Sequence, residues 1–204
     1  MYAIVENNQI TQYVNFPKSV VIGDVRYPAK IFELWSQSEK EAIGIYEIIV
    51  DKTNYKDPGY YNNTNSSYTF ADGQVTESWG TATPKRLEDE NAVDENGDPI
   101  LDDDGKQIIN YGLKTEKKRI IKDQASGLLA PTDWYVVKAT EVADYNVPEN
   151  ITIFRADVRS KSNEMETQID ACTNVDELKA LYEYTEQEDG TITRPLAEFP
   201  VLES

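Results

Sequence analysis

The stretch Leu128–Trp134, which reads LLAPTDW, decides how the second half of this chain is interpreted. Thr132 is a candidate helix N-cap, and the acid that follows it is favoured at the positive end of a helix. Pro148 stands where proline is favoured, in the first turn of another helix. Arg155 and Arg159 are spaced to share one face of that helix. Together these features predict a small helical unit that packs and docks, without catalytic equipment.

An apolar stripe predicts the longest helix of the chain. Its residues recur at steps of three, four and seven, which is the spacing of one helix face. They are Ile151, Phe154, Val158, Met165, Ile169 and Cys172. We therefore predict a helix of about 22 residues that begins near Pro148. Asn174, with Glu177 three residues later, predicts the N-cap of one more helix.

Residues 1–84 contain short runs of strand-forming residues separated by turn signals. We predict three hairpins there and a single strong strand over Ile45–Asp51. The hairpins are Tyr2–Val5 with Ile10–Val14, Val20–Ile22 with Val25–Tyr27, and Tyr68–Phe70 with Gln74–Trp79. A short helix over residues 38–43 is expected to end at Gly44, where a left-handed cap suits glycine. This pattern indicates a small β-rich domain.

The middle of the chain is strongly acidic. Residues 88–104 contain nine acidic side chains and no lysine or arginine. Turn signatures at Asn96–Pro99 and Asp104–Lys106 predict a solvated linker over residues 85–112 that includes a small projecting hairpin.

A basic segment over residues 114–122 follows the acidic one. Ile120 and Ile121 are expected to lie on one face of a helix there. We interpret the neighbouring runs of opposite charge as local complementarity, which is worth little per exposed pair. Contact with nucleic acid is the alternative interpretation.

Together these segments predict an α+β protein in four parts. The parts are a β-rich N-terminal domain over 1–84, an acidic linker with a hairpin over 85–112, a helical domain over 113–184, and an extended C-terminal tail over 185–204. The tail is too apolar for a free solvated end, because it carries Leu196, Phe199, Val201 and Leu202. We expect it to lie in a groove of its own helical domain or of a partner.

The composition disfavours most enzyme classes. The 204 residues include no histidine and one cysteine, Cys172, so the commonest general base, a disulfide and a thiolate metal cluster are excluded. Glycine-rich phosphate loops are also missing from the sequence. The acidic run does not match an EF-hand, because Pro99 and Gly105 stand where a calcium loop needs glycine and glutamate. We therefore expect no catalytic residue, no metal and no cofactor.

Charge and hydropathy restrict the kind of partner. The formal net charge of −17 disfavours nucleic acid, since such a surface repels phosphates over most of its area. No stretch approaches the roughly 18 consecutive apolar residues of a membrane span. The start, Met1–Glu6, lacks the basic region of a signal peptide, so we expect a soluble protein made in the cytoplasm.

Six side chains are candidates for binding a partner: Trp134, Arg155, Arg159, Leu196, Phe199 and Val201. Tryptophan is favoured at binding hot spots, but for Trp35, Trp79 and Trp134, each taken singly, core packing is the favoured interpretation. The two arginines either pair with Asp133 or Glu141 of the preceding helix or contact another subunit.

The C-terminal part of the chain resembles a module of tailed-bacteriophage tail-fibre assembly proteins and related tail-associated virion proteins. In that module a leucine pair runs into Thr-Asp-Trp, and a Pro-started helix then carries an aromatic–Arg step and a second apolar–Arg step. The matching residues here are Leu128-Leu129, Thr132-Asp133-Trp134, Pro148, Phe154-Arg155 and Val158-Arg159, with Val175–Leu178 downstream. Tyr27-Pro28, Trp35 and Ile43–Tyr46 similarly resemble the small domain at the front of such phage proteins.

The resemblance implies a non-enzymatic phage tail protein that docks onto a tail-fibre or baseplate subunit, either as a virion component or as a fibre-assembly chaperone. Such a protein resides in the virion tail after synthesis in the host cytoplasm, and homo-oligomerisation is a further option. The alternative is a receptor- or carbohydrate-binding module that uses the Tyr/Trp-rich N-terminal domain. Exposed aromatic platforms would favour the sugar-binding alternative, whereas a docking module buries its aromatic side chains against protein.

Overall fold

The computed structural model describes residues 1–202 and divides the chain into two compact units. The first unit is Met1–Thr83 and contains most of the strands, whereas the second begins at Pro84 and contains the long helices. The predicted α+β class is therefore confirmed. The expected linker over 85–112 and the expected tail are not separate parts, because both belong to the same compact unit as the helices.

The first unit is built on a five-stranded sheet with the order β2-β1-β5-β8-β7. Its elements are β1 (Tyr2–Glu6), β2 (Gln9–Val14), β3 (Val20–Ile22), β4 (Val25–Tyr27), α1 (Ile31–Leu34), α2 (Gln37–Glu41), β5 (Ile45–Asp51), β6 (Tyr61–Asn62), β7 (Ser66–Ala71) and β8 (Gln74–Trp79). Neighbouring strands of this sheet are antiparallel, except that β5 and β8 run parallel. The three predicted hairpins and the strand Ile45–Asp51 are confirmed.

Strand β1, which lies between β2 and β5, is buried on both faces, because the sheet carries a separate core on each side. Ile4 belongs to a core on one side with Val14, Val20, Ile31, Phe32 and Ile45. Ala3 and Val5 belong to the other core with Ile48 and Val75. This division follows from the two-residue period of side chains along a strand. The second core is lined at its edge by partly buried residues: Ile10, Tyr46, Tyr68 and Phe70.

Gly44 fixes the passage from α2 into β5. Ser36 and Glu39 form a capping box at the start of α2, and at its other end Gly44 has the expected left-handed conformation, with a φ of +85°. The Gly44 carbonyl accepts the Val5 amide at 2.8 Å. A Cβ on Gly44 would lie 2.5 Å from the Val5 carbonyl oxygen. Both the backbone conformation and the close approach to β1 therefore require glycine.

Replacing Gly44 by alanine is expected to destabilise the first unit strongly. Gly23→Ala is the matched control, because Gly23 also has a positive φ, +58°, but a Cβ there would meet no atom within 4 Å. We expect Gly23→Ala to lower the free energy of unfolding by about 1 kcal/mol. Gly44→Ala should lower it by about 1–3 kcal/mol more, as measured by urea denaturation. Equal losses would show that β1 shifts freely to make room.

The second unit combines two long helices with shorter helices and small hairpins. Its elements are β9 (Thr83–Pro84, where the units divide), β10 (Glu90–Asn91), β11 (Ile109–Asn110), α3 (Leu113–Leu129), a 3-10 turn (Ala130–Thr132), α4 (Asp133–Glu141), α5 (Glu149–Ala171), α6 (Val175–Ala180), β12 (Thr185–Glu186) and β13 (Ile192–Thr193). The predicted long helix is therefore confirmed as α5. The N-cap of α6 is also as predicted, since the Asn174 side chain accepts the Glu177 amide.

The apolar stripe of α5 forms the core of this unit. All six of its predicted residues are buried: Ile151, Phe154, Val158, Met165, Ile169 and Cys172. Phe154 and Val158 pack against Ala125 of α3. The expectation for Ile120 and Ile121 was wrong, because Ile121 is 2% exposed and Ile120 is 50% exposed. Adjacent helix residues are rotated by about 100°, so only one of the pair can face α5.

Phe154→Ala is expected to lower the free energy of unfolding by about 3–5 kcal/mol. The ring is 6% exposed and packs in the cluster of Ala125 and Val158. The matched control is Ile153→Ala on the same helix, since Ile153 is 53% exposed and its truncation should cost under about 1 kcal/mol. Thermal and urea denaturation of the full chain measure both effects. Equal effects would contradict a core role for Phe154.

Part of the acidic run closes the N-terminal end of α3. The carbonyls of residues 86 and 87 accept the first two amides of α3 at 3.0 and 3.1 Å. The Asp89 carboxylate accepts the Gly112 amide at 2.8 Å and the Thr115 hydroxyl at 3.0 Å. These contacts satisfy amides that no helical carbonyl reaches, and they place an acid at the positive end of the helix. Residues 86–89 are therefore structural and not a solvated connection.

Lysines of α3 bind acids, but mostly not those of the preceding acidic run. The ion pairs are Lys114–Glu88, Lys118–Asp170 and Lys122–Glu166. Two of the three acidic partners lie on α5, so these pairs join the two long helices. Lys114 also donates to the Asp170 carbonyl at 3.0 Å, near the negative end of α5, where a cation is favoured.

Residues 90–110 form a three-armed junction, whereas the sequence predicted a linker with one hairpin. Its stem is β10 paired with β11, and its two arms close at the bridges Val93–Pro99 and Leu101–Gln107. In each arm an aspartate carboxylate, from Asp94 or Asp102, accepts backbone amides two and four residues further on. The second arm therefore repeats the first at an offset of eight residues.

A closed ring of backbone hydrogen bonds holds the centre of this junction. Ala92 donates to the Ile108 carbonyl at 2.8 Å, Ile108 donates to the Ile100 carbonyl at 2.9 Å, and Ile100 donates to the Ala92 carbonyl at 2.9 Å. The side-chain nitrogen of Gln107 lies 2.8 to 3.2 Å from all three of these carbonyl oxygens, which share its two hydrogens. The ring gives residues 90–110 an approximate threefold symmetry, and we refer to them as the threefold junction.

Candidate docking surface of the helical unit

Arg155 of α5 holds the LLAPTDW stretch in place. Its guanidinium donates to the Leu129 carbonyl at 3.0 Å and to the Thr132 hydroxyl at 2.5 Å, and it pairs with Asp133 at 2.8 Å. The Thr132 hydroxyl donates in turn to the Leu129 carbonyl at 2.7 Å. Thr132 is the N-cap residue of α4, as predicted, but its side chain caps no amide of that helix. The pairing of an arginine with Asp133, one of the two alternatives, is confirmed.

The two arginines of α5 differ in environment although they share a face. Arg155 is 9% exposed, so its guanidinium serves contacts within the chain. Arg159 is exposed, and it donates to the Arg155 carbonyl one turn earlier at 3.0 Å. Only Arg159 presents its positive charge to solvent.

Arg155→Lys is expected to lower the free energy of unfolding by about 2–3 kcal/mol, because a lysine ammonium cannot reach the three acceptors that the planar guanidinium serves. Arg159→Lys is the matched control, and its effect should stay within about 0.5 kcal/mol. Urea denaturation measures both values. A stable Arg155→Lys variant would show that a single positive charge suffices to hold the turn.

Helix α4 presents apolar side chains to solvent, and none of its residues is buried. Trp134 is 51% exposed and lies against Tyr135, with their ring centroids 3.8 Å apart. The Lys138 ammonium lies 5.7 Å from the Trp134 ring centre. The other exposed apolar residues on α4 and its end are Val136, Val137 and Val142. An exposed tryptophan with neighbouring valines is typical of an interaction surface.

Gln168 of α5 clamps the C-terminal tail onto the helical unit. Its side-chain amide donates to the Pro195 carbonyl and its carbonyl accepts the Ala197 amide, both at 2.9 Å. The residue between them, Leu196, is 2% exposed and donates its amide to the Leu181 carbonyl at 2.9 Å. Of the two alternatives for the tail, a groove of its own domain is therefore the one observed.

Beyond this clamp the tail borders an open groove on α5. Phe199 is half-buried against the cluster of Ala125, Phe154 and Val158. The groove has a volume of about 700 Å³ and is lined by Asn150, Ile153, Phe154, Asp157, Pro200, Val201 and Leu202. Val201 is 86% exposed, so the tail covers only part of the apolar surface that it borders.

The six sequence candidates thus fall into two groups. Arg155 and Leu196 are buried and Phe199 is half-buried, so these three hold the unit together. The exposed candidates are Trp134, Arg159 and Val201. Sequence reasoning missed Gln168, whose role depends on a contact 27 and 29 residues away. It also missed Ile153, which lines the groove. The sequence could have indicated this residue, because an isoleucine that lies off the apolar stripe of an amphipathic helix is expected to be exposed.

The described residues show neither a reactive thiolate nor a cluster of metal ligands. Cys172 is buried, and burial raises the pKa of its thiol, which disfavours the nucleophilic thiolate. Within residues 1–202 no three histidine, cysteine or acidic side chains are placed to hold a metal ion. None of the helices in that range is long and apolar enough to cross a bilayer.

No family model, curated protein or solved structure matches this chain. Any function assigned to it therefore rests on the described surface and on the motif residues that lie there.

Gln168→Ala is expected to release the tail from α5. Loss of the two amide contacts should speed hydrogen exchange at the Ala197 and Leu196 amides by about tenfold, as measured by NMR on the full chain. Thr167→Ala is the matched control, because its hydroxyl donates only to the Asn163 carbonyl of the same helix. Unchanged exchange rates in Gln168→Ala would show that the burial of Leu196 alone holds the tail.

Proposed function

We propose that this chain is a non-enzymatic bacteriophage tail protein that docks onto a tail-fibre or baseplate subunit. The observation that carries the proposal is α4, a helix with no buried residue that presents Trp134 to solvent. An apolar helix face of this kind gains stability when a partner covers it. Two of the residues on which the resemblance to phage tail proteins rests, Trp134 and Arg159, are exposed on this unit. Two others, Thr132 and Arg155, are buried and hold α4 in place.

The charge of the chain favours binding to a specific protein partner over nonspecific association. The formal net charge is −17, so two surfaces of this sign repel each other at long range and nonspecific association is disfavoured. Arg159 supplies an exposed positive charge on α5, and Lys138 lies beside the aromatic ring of Trp134. A partner that buries the Trp134 ring also gains a hydrogen-bond donor next to it.

The test is co-expression with the proteins of the neighbouring genes, among which the proposal expects a tail-fibre or baseplate subunit, followed by affinity purification. Trp134→Ala combined with Val137→Ser should weaken capture of the partner by at least about tenfold, in line with loss of a binding hot spot. The control is Val21→Ser combined with Val25→Ser, which removes comparably exposed valines from the β3–β4 hairpin of the first unit. Equal capture by both variants would contradict docking through α4.

Mass spectrometry of purified virions separates the two forms of this function. Presence of the chain in the mature tail identifies a structural component, located in the virion after synthesis in the host cytoplasm. Loss of the chain after fibre assembly identifies a chaperone.

Receptor or carbohydrate binding by the first unit is the second candidate, and one observation favours it. Tyr13 is 45% exposed and contacts the Tyr68 ring at 4.7 Å between centroids. The two tryptophans of this unit are half-buried and make edge contacts with Tyr27 and Tyr55, which leaves them less suited to stack on a sugar. A glycan array probed with the full chain tests this candidate, and loss of a signal in Tyr13→Ala would support it.

A further inference from the structure

The anchor of α4 and the open groove lie on opposite flanks of α5. Arg155 holds the first residue of α4 through Asp133, and Ile153 lines the groove. Two residues of a helix differ in direction by about 200°, so Arg155 and Ile153 point about 160° apart. One copy of the chain therefore presents α4 from one flank of α5 and the groove from the other.

The groove is suited to an aromatic side chain. Its volume of about 700 Å³ falls in the range of about 300–1,000 Å³ in which pockets hold a drug-sized group. Its lining is apolar at Ile153, Phe154 and Val201, and Asn150 and Asp157 add hydrogen-bond acceptors. A buried indole uses both kinds of surface, because its ring is apolar and its N–H needs an acceptor.

The exposed side of α4 carries an indole with a cation one turn away. Trp134 is 51% exposed, and the Lys138 ammonium lies 5.7 Å from its ring centre and 4.3 Å from that of Tyr145. On α5, Asp157 follows Ile153 at the same spacing of four residues, and both are exposed. Side chains four residues apart on a helix lie about 5–6 Å from each other. The two helices therefore carry complementary pairs at matching separation.

The net charge makes such a pairing selective. The formal net charge is −17, so most of the surface repels a second copy of the chain. Two copies can associate where a contact brings a cation of one copy to an anion of the other. Lys138 against Asp157 is a contact of this kind, and it lies beside apolar side chains that gain stability when they are covered.

We propose that α4 of one copy binds the groove on α5 of a second copy. The Trp134 ring enters the groove beside Ile153, and Lys138 pairs with Asp157, with the two helices running in the same direction. The contact joins two different surfaces, so it is heterologous and either closes a ring or continues as a filament. It does not depend on the proposed docking, although a tail subunit that binds α4 must displace the neighbouring copy.

Sedimentation velocity of the full chain over a range of protein concentrations tests the inference. Lys138→Glu and Asp157→Lys should each weaken self-association by at least about tenfold, because each variant places like charges opposite one another. An equimolar mixture of the two variants should restore self-association, since opposite charges then meet again between unlike copies. Circular dichroism checks that both variants are folded.

The matched controls are Lys52→Glu and Asp24→Lys in the first unit. They replace exposed side chains and change the net charge by the same amounts as the two test variants. They therefore separate a local ion pair from general repulsion between acidic chains, and they should leave self-association unchanged.

Three results would overturn the inference. A chain that is monomeric at every concentration does so and leaves docking through α4 intact. Association that only one of the two test variants weakens does so because α4 and the groove then bind different surfaces. A mixture that fails to restore association shows that Lys138 and Asp157 do not meet. A chain that self-associates as expected but captures no tail subunit contradicts the proposed function alone.

Discussion

The buried guanidinium of Arg155 is the interaction on which the helical unit depends. Arg155 belongs to α5, but its partners lie at the end of α3, in the 3-10 turn and at the first residue of α4. One rigid side chain therefore fixes the direction in which α4 leaves α3. This explains how α4 keeps its place although it buries none of its side chains. The helix is held at its first turn, and its length is left to present Trp134.

Local sequence patterns predicted most of the elements correctly, because each of those elements follows from near neighbours. The apolar stripe of α5 and the three hairpins depend only on side-chain period and turn residues. The same dependence explains why the N-cap position of Thr132 was predicted correctly and the contact of its side chain was not. A threonine before an aspartate satisfies the local pattern of an N-cap, but here its hydroxyl binds Arg155, which lies 23 residues further on. Local patterns carry no information about a contact of that range.

The threefold junction shows a similar limit. Both arms have a local signature, an aspartate followed three residues later by glycine, and the sequence correctly placed turns there. The ring that joins them depends on Gln107 and on carbonyls seven and fifteen residues away. An acidic composition is also typical of a solvated linker, so composition concealed an ordered element. Among the candidate site residues, Trp134 is exposed and Arg155 is buried. The sequence alone could not show this difference in exposure.

The arms of the threefold junction also make it a site at which the chain tolerates added sequence. Each arm closes at its own bridge, Val93–Pro99 or Leu101–Gln107, before it returns to the ring. The turns beyond those bridges contact nothing near Gly97 or Gly105, where a Cβ would meet no atom within 4 Å. Loop length at such a closed tip has only a small effect on folding free energy. A peptide tag or a fluorescent label can therefore be carried at either tip, at a defined position relative to the fold.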